Sequence, residues 1–480
     1  MVNVHAVNRD QAFLMPPSLA EWLPEDHLAW FVLEVVAELD LSGFYRSLRQ
    51  DGRGGASYDP RMMLGVLVYA YCAGERSSRR IEQRLSEDVG FRVVAANQCP
   101  DHATLARFRR NHEEAIGELF SQVLGLCVVE GLVKAGVVAI DGTKIEANAS
   151  AWSNRTRRQI AEEILEEAEA VDAAEDEKFG DRRGDELPDK WTDRHDRRSR
   201  LREALRQLDA EGAADWESYM AEREAKEAEM GRKLAGRKPS RGSDHRGKTR
   251  QANTTDPDSR MLRARNRFLQ GYNAQAAVSE DHIVVAAEMT NAANDSTQLV
   301  PMVDAVRENL TEVNGPDVET YVADAGYWSA ENLSQLADVD LLVAPMPATS
   351  GITDPDDPRR KQRQAVIERV EAGELTLTQA AEQMGVSHTW VRKLVKDHRR
   401  GVADPAQLRI EMEQRLASED GAAAYAKRKT TVEPVFGNLK ANLRFRRFSQ
   451  RGLDAVRSEW RLICTIHNLL KLHRHRLATT

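Results

Sequence analysis

Two short runs of strand-forming residues constrain this chain most, because each ends in an aspartate. The run GVVAID ends at Asp141, and the run TYVAD ends at Asp324. Short, nearly continuous runs of β-branched and other apolar residues are typical of strands that are buried on both faces. We therefore predict an α/β fold in which helices cover a sheet, with the two acids at the ends of its strands.

Size and composition indicate several folded units. The chain has 480 residues, of which 41% are hydrophobic and 30% are charged. At about 100–200 residues per domain, this length predicts two to four units. The composition excludes collagen-like, mucin-like and wholly disordered proteins.

The sequence predicts neither membrane nor redox chemistry. The amino terminus lacks a basic-then-apolar leader, and the apolar run 126–140 is interrupted by Glu130 and Lys134. We therefore expect a cytoplasmic protein without membrane contact. The four cysteines form no CxxC pair, so we expect reduced core residues and neither a zinc site nor a disulfide.

Charge is distributed unevenly along the chain. The net charge is −8, yet residues 421–480 carry 13 Lys and Arg against 3 Asp and Glu. Contacts with phosphates depend on a local basic surface and not on the charge of the whole chain. An acidic total therefore does not exclude a polyanionic partner.

The chain divides by pattern into helical and mixed segments. Residues 1–130 read as helical, with a helix that Pro60 starts and Gly74 ends, and another after Asp101. Residues 131–150 begin an α/β core, and 261–350 continue it with a β-hairpin around Asp281 and a strand at 341–345. Two insertions are predicted, 151–260 and 351–420, and residues 421–480 complete the chain with basic helices.

The first insertion is dominated by charge. Residues 151–250 contain 23 basic and 25 acidic side chains, with helical charge spacing. Such a segment cannot bury much surface, so we predict a projecting helical hairpin with a flexible basic end at 236–250.

A third acid, Glu433, precedes Pro434. Proline is tolerated in the first turn of a helix, so we expect Glu433 near a helix start, where the dipole favours a carboxylate. Three clustered carboxylates repel one another unless cations are present, and their hard oxygens suit Mg²⁺ or Mn²⁺. The chemistry that such a site favours is two-metal phosphoryl transfer. For either aspartate alone, capping of the next turn is the more common role.

The segment YAKRKTTVEPVFGNLK carries Tyr425, Arg428, Glu433 and Lys440. Here the chain resembles the DDE transposases of bacterial insertion sequences, in the branch with a Tyr-x2-Arg-x3-Glu-x6-Lys signature. AIDGTKIEANAS resembles the first-aspartate motif of that group and VADAGYWSAENL the second, while YDPRMMLGVLVYAYCAGERSSRRIE and PDHATLARFRR resemble its amino-terminal domain.

The resemblance implies a ribonuclease H-like core with an amino-terminal helical DNA-binding domain and helical insertions. It also implies a catalytic triad of Asp141, Asp324 and Glu433 with two Mg²⁺ or Mn²⁺ ions. The enzyme would nick element ends and join the 3′-hydroxyl to target DNA. It would work as a homo-oligomer, because two ends are paired, and would associate with the nucleoid.

The same resemblance assigns Tyr425, Arg428 and Lys440 to DNA, with the last two holding phosphates. The chain departs from the signature at one point, since four residues and not three separate Arg428 from Glu433. Lys429 is therefore an alternative for the arginine role.

Two further segments are candidates for DNA contact. Residues 375–401 resemble a helix-turn-helix with Thr378 as first cap and Gly385 in the turn, and the alternative is an ordinary helical hairpin. In LRFRRFSQRG, arginines would meet phosphates while Phe445 and Phe448 anchor the segment, and the alternative is a solvated helix end. The predicted DNA contacts are His388, Thr389, Arg392, Lys393 and Lys396 in the first, and Arg444, Arg446, Arg447 and Arg451 in the second. Tyr327 and Trp328 would either stack on a base or pack in the core.

Two rival functions stay open on the sequence alone. A degenerate transposase could serve as a DNA-binding regulator, although such a protein has no need for three mutually repelling acids. A plain Mg²⁺-dependent nuclease would cut DNA without joining it.

Overall fold

The structure is a computed structural model. It describes Ser18 and residues 21–46, 57–134, 136–166, 192–230, 250–264, 267–346, 358–399 and 405–479. Most of the predicted basic end of the first insertion, 236–250, lies outside the described residues.

Helices make up most of the described chain. The α-helices are α1 (Leu28–Glu38), α2 (Ser42–Tyr45), α3 (Pro60–Cys72), α4 (Ser78–Glu87), α5 (Val89–Val94), α6 (His102–Asn111), α7 (Glu113–Val129), α8 (157–166), α9 (Thr192–Met230), α10 (Leu299–Glu312), α11 (Ala330–Gln335), α12 (Pro358–Glu371), α13 (Leu377–Met384), α14 (His388–Arg399), α15 (Pro405–Ala417), α16 (Glu419–Gly437) and α17 (Leu453–Thr479). None of them combines the length and apolar character that crossing a bilayer requires.

Local signals set several helix ends as predicted. Asp59 precedes Pro60 and its carboxylate accepts a hydrogen bond from the Arg61 amide at 2.9 Å. Gly74 follows α3 with a φ of +71°, a conformation that favours glycine. Asp101 caps α6 through the Thr104 amide at 2.6 Å.

The sheet is mixed, and its strand order identifies the fold. The strands are β1 (Val137–Glu146), β2 (Asn154–Thr156), β3 (Gln251–Asn253), β4 (Arg260–Ala264), β5 (Arg267–Ser279), β6 (Val284–Thr290), β7 (Thr320–Ala323) and β8 (Leu341–Val343). Strand β5 pairs antiparallel with β1, β4 and β6, while β7 lies between β1 and β8 and is parallel to both. An antiparallel meander followed, after helix α10, by two parallel strands is the ribonuclease H-like arrangement, so the predicted fold class is confirmed.

The hydrophobic core extends beyond the sheet. Helix α17 packs on α7, on α3 and on β6, and its Trp460 is fully buried. Buried residues of α1, α3 and α7 belong to the same cluster as those of β1, β5 and β7. The amino-terminal helices therefore share one core with the mixed sheet.

Both insertions have small cores of their own. Helices α8 and α9 enclose Ile160, Leu201, Ala204 and Leu208 together with Ala252 of β3. Helices α12 to α14 enclose Val366, Ile367, Ala380, Ala381, Val391 and Val395. Among the described residues, neither cluster shares a member with the main core.

The prediction of core cysteines is confirmed for two of the four residues, and Cys72 is only partly buried. All four cysteines are free, and Cys127 and Cys464 are buried. Cys99 is exposed, contrary to the prediction, because it follows the short helix α5 in a surface turn.

Candidate active site

Asp141 and Asp324 follow paired residues of two neighbouring parallel strands. The last pair in the register of β1 and β7 is Ile140 with Ala323, and each aspartate comes next in its chain. Burial and the charge of Asp324 raise the pKa of Asp141 to about 6. Each carboxylate also accepts a local backbone hydrogen bond, Asp141 from Gly142 at 2.7 Å and Asp324 from Gly326 at 2.8 Å. Asp324 thus caps the turn that follows it, whereas Asp141 accepts its hydrogen bond within β1.

Asp141 does not end its strand, which corrects the prediction. Strand β1 continues to Glu146, which pairs with Gly271 of β5. Only the parallel partner β7 stops at Ala323. From Asp141 onward, strand β1 therefore has no pairing with β7 but remains paired with β5. This arrangement depends on β5, which is far away in the sequence.

Glu433 does not lie near a helix start, which is a second correction. Helix α16 begins at Glu419, after the cap Ser418, and Pro434 lies inside it. Proline removes the N–H that the Thr430 carbonyl would otherwise accept. That carbonyl instead lies 3.0 Å from Nε2 of His282, in the turn between β5 and β6. This contact gives the carbonyl a partner despite the internal proline. The dipole argument for Glu433 fails because this residue lies far from the start of α16.

The third acid is set apart from the two aspartates. Glu433 is exposed on α16, a helix that packs on β1 and β7. No ion pair of the described residues includes Glu433, and no three His, Cys, Asp or Glu side chains among them are arranged to hold a metal ion. The structure brings two of the predicted acids together and leaves the third on an adjacent helix.

Arg428 supplies a counter-charge to the aspartate pair. Its Nη1 lies 3.6 Å from Oδ2 of Asp141, and the two side chains are only 12% and 20% exposed. Its guanidinium also lies 5.9 Å from the ring centre of Tyr425. Lys429, the alternative for this role, is exposed.

Lys440 approaches the same strand, β1, from the turn that follows α16. The chain forms a π-helical turn over Asn438–Asn442, so Lys440 is not simply two regular turns beyond Glu433 as the spacing predicted. Its Nζ donates a hydrogen bond to Oγ1 of Thr143. Thr143 lies two residues after Asp141 on the same face of β1. Burial lowers the pKa of Lys440, and the charge of Asp141 opposes that shift.

The donor atoms at this edge fit a hard divalent cation. Asp141 and Asp324 offer carboxylate oxygens, which Mg²⁺ and Mn²⁺ prefer. Burial and, after it, the charge of Asp324 raise the pKa of Asp141, and a cation bound by these carboxylates would offset both effects. Arg428 neutralises only part of this charge.

Comparison with protein families decides the identity. Residues 243–469 match the family model described as transposase DDE domain, and residues 17–111 match the transposase domain known as DUF772. The chain belongs to the DDE transposases of insertion sequences. No curated protein and no solved structure matches it. The first match contains Asp324 and Glu433 of this transposase, whereas Asp141 lies between the two matched regions.

The segment LRFRRFSQRG, residues 443–452, is the basic segment of the transposase, and it is anchored as the sequence predicted. Phe445 and Phe448 are buried, with exposed fractions of 0% and 2%. Arg444, Arg446 and Arg447 are exposed. These three arginines therefore lie on a fixed segment and face solvent.

The segment 375–399 forms two helices around a turn. Thr376, not Thr378, caps α13, because its side chain and that of Gln379 form a reciprocal capping box. Gly385 ends α13 with a φ of +64°. On α14, Lys393 and Lys396 are exposed, whereas Arg392 is partly buried. His388 is also partly buried, and the side chain of Thr389 lies outside what the structure describes.

Tyr327 and Trp328 belong to the core. Tyr327 is fully buried and Trp328 packs against the main cluster. Stacking of Tyr327 on a base is therefore excluded in this conformation.

Sequence reasoning missed a polar cluster behind Asp141. Lys144, Asn273, Gln275 and Asp295 form a hydrogen-bonded group, which we call the Asp295 cluster. The signal was present, because Asn273 and Gln275 interrupt an otherwise apolar strand. Their common partner, Asp295, lies in a loop that carries no pattern of its own.

Proposed function

We propose that this transposase cuts DNA at the ends of an insertion sequence and joins them to target DNA by in-line phosphoryl transfer. Asp141, Asp324 and Glu433 would act as the catalytic acids and hold two Mg²⁺ or Mn²⁺ ions. The observation that carries the proposal is the pair Asp141 and Asp324 at adjacent strand positions, with Arg428 and Lys440 reaching the same edge.

The roles of the chain's own groups follow from their positions. Bound at these acids, divalent cations would activate the attacking hydroxyl and stabilise the leaving oxygen. Arg428 lies against Asp141 and balances its charge in the absence of DNA. When DNA arrives, we expect Arg428 and Lys440 to contact phosphate oxygens, with Tyr425 packed beside the guanidinium.

Glu433 would complete the site by a change of side-chain conformation. It is exposed on a helix that packs directly on β1, and the proposal requires its carboxylate to turn toward the sheet edge. The carboxylates of Asp141 and Asp324 would form the fixed part of the site and Glu433 the movable part.

DNA would follow the basic surface near the active site. Arg444, Arg446 and Arg447 would contact phosphates without reading sequence. Arg392 and Lys393, on the second helix of the helix-turn-helix-like unit, would contact duplex DNA in the major groove. A homo-oligomer would hold two element ends, and the DNA substrate would place the protein at the nucleoid.

A strand-transfer assay tests the proposal. Purified protein would be incubated with Mg²⁺, a labelled oligonucleotide carrying an element end, and supercoiled plasmid. We expect label to become covalently joined to plasmid, and we expect the variant Asp141→Asn to lose this product. Because the ends are not known in advance, the DNA that flanks the coding sequence supplies them.

The same assay separates the rival functions. Cleavage without joining would identify a nuclease, and DNA binding without either would identify a regulator. Either result would contradict the proposed transposition reaction.

A further inference from the structure

The Asp295 cluster lies on the face of β1 opposite to the side chain of Asp141. Side chains alternate along a strand, so Gly142 and Lys144 point away from the face that carries Asp141 and Thr143. In β5, Gln275 pairs with Gly142 and Asn273 pairs with Lys144. The two amides and the ammonium group therefore share one face, where Asp295 meets them.

Asp295 accepts hydrogen bonds from all three neighbours. Its carboxylate lies 3.1 and 3.2 Å from Nζ of Lys144, 2.6 Å from Nδ2 of Asn273 and 2.9 Å from Nε2 of Gln275. Asn273 and Gln275 are fully buried. Because every neighbour donates, an acceptor-only carboxylate suits this position and an amide does not.

The cluster touches the backbone next to Asp141. A Cβ atom at Gly142 would lie 2.5 Å from Nε2 of Gln275 and 2.8 Å from Oδ1 of Asp295. Such distances leave no room for a side chain, so the peptide that follows Asp141 rests directly on these groups. One residue, Gly142, therefore separates this contact from Asp141.

The cluster also reaches the turn after Asp324. The buried hydroxyl of Tyr327 donates to Oε1 of Gln275, whose amide nitrogen is held by Asp295. A Cβ at Gly326 would lie 3.7 Å from Oδ2 of Asp295. One carboxylate thus supports the backbone beside both active-site aspartates.

We infer that Asp295 is a positioning residue, which fixes Asp141 and Asp324 relative to each other so that they bind a divalent cation. The inference rests on the proposed function of that pair. Asp295 acts through Gly142 and Tyr327 and does not itself touch the substrate. Supporting groups of this kind are typical of metal sites, and their loss costs about 10–100-fold in metal affinity or activity.

The test compares Asp295→Asn with the same change at another hydrogen-bonded aspartate. Asp256 is fully buried and accepts hydrogen bonds from Tyr272 at 2.7 Å and from the Gly452 amide at 3.1 Å, and it takes no part in the Asp295 cluster. Asp256→Asn therefore controls for loss of a hydrogen-bonded carboxylate outside the cluster, and because Asp256 is more buried than Asp295 it is the more severe change for the fold. Two quantities are measured in the full-length protein: the rise in melting temperature that Mn²⁺ causes, and the Mg²⁺ concentration that gives half-maximal DNA cleavage. Binding of DNA in Ca²⁺ is measured alongside.

We expect Asp295→Asn to bind DNA normally, to lose most of the Mn²⁺-dependent rise in melting temperature, and to need about 10–100-fold more Mg²⁺. Asp256→Asn should have a lower melting temperature than wild type but keep the wild-type response to both metals. Equal metal responses in Asp295→Asn and wild type would overturn the inference, and so would an equal loss in both variants.

A double variant keeps the test decisive if Asp295→Asn misfolds. Removing Asp295 alone leaves the partly buried ammonium of Lys144 without its counter-charge. Lys144→Met combined with Asp295→Asn removes both charges, so this protein should fold and still need more Mg²⁺. A wild-type Mg²⁺ requirement in the double variant would contradict the inference. If Asp141→Asn also cleaved DNA and responded to Mn²⁺ as wild type does, the proposed function itself would fail.

Discussion

The guanidinium of Arg76 donates hydrogen bonds to the carbonyl oxygens of Arg444 at 2.9 Å and Arg447 at 2.8 Å. It also lies 4.7 Å from the ring centre of Phe445. Arg76, in the loop between α3 and α4, thus holds the backbone of the basic segment near the proposed active site. Arg444 adopts a φ of +54°, which a residue other than glycine rarely takes, so this segment needs such support.

Arg76→Ala should weaken DNA binding without removing a phosphate contact of the basic segment. Hydrogen bonds to charged groups contribute about 1.5–3 kcal/mol each, so the segment should lose its fixed backbone and DNA affinity should fall about tenfold or more. Fluorescence anisotropy with duplex DNA measures this. Arg80→Ala is the control, because the side chain of Arg80 is exposed and pairs only with Glu75 among the ion pairs of the described residues. Equal affinity of the two variants would show that Arg76 does not support the segment.

Neutralising Arg444, Arg446 and Arg447 together should lower DNA affinity for every sequence. Each lost phosphate contact reduces the slope of log affinity against log salt by about 0.9. The slope of the triple variant should therefore be smaller by up to about 2.7. The measurement is a salt titration of binding with specific and random duplexes. An unchanged slope would place the DNA elsewhere.

Asp324→Asn should separate catalysis from binding. The amide has nearly the same shape as the carboxylate but lacks its charge, so cleavage in Mg²⁺ should fall more than about 100-fold, beyond the cost of changing a supporting group. Affinity for DNA in Ca²⁺ should be retained. Single-turnover cleavage of a labelled end measures the effect, and a wild-type rate would exclude Asp324 from the site.

Lys393→Ala with Lys396→Ala should reduce sequence preference, if α14 reads DNA. Both side chains are exposed on this helix, and a recognition helix contacts base edges and nearby phosphates. We expect the ratio of affinities for element ends and random DNA to fall about tenfold, the scale of one good base contact. Arg369→Ala on α12 is the control, since that side chain pairs with Glu374. An unchanged ratio would favour a structural hairpin.

His467 should make stability depend on pH. Burial lowers its pKa to about 4, and the neutral ring is fully hydrogen-bonded, to the His282 carbonyl at 2.8 Å and to Nδ2 of Asn438 at 3.0 Å. Between about pH 6.5 and 4 the unfolded chain binds a proton that the folded chain does not, so stability falls as pH is lowered through this window.

From pH 7 to 5 this contribution is about 2 kcal/mol of the free energy of unfolding. Urea denaturation at both values measures it. His467→Gln should lose less stability over this range than wild type, whereas His475→Gln, on the same helix but not buried, should lose as much. Identical losses in wild type and His467→Gln would contradict the assignment.

The sequence by itself determined the features that depend on near neighbours. Continuous apolar runs set the start of β1 and the whole of β7, because buried strands need apolar residues on both faces. Asp59, Gly74 and Asp101 set helix ends through hydrogen bonds and φ angles within a few residues. The family motifs at Asp324 and Glu433 could likewise be identified from the sequence.

Only the tertiary structure decided the features whose partners lie far away in sequence. Strand β1 runs past Asp141 because β5 continues beside it, and α16 runs through Pro434 because His282 reaches the carbonyl that the proline leaves unpaired. Arg428, not Lys429, faces Asp141 because α16 packs on β1 with that orientation. The Asp295 cluster joins a loop to two strands. Hydrogen bonds and ion pairs between distant segments leave no periodic trace in the sequence, since their geometry exists only after the core has formed.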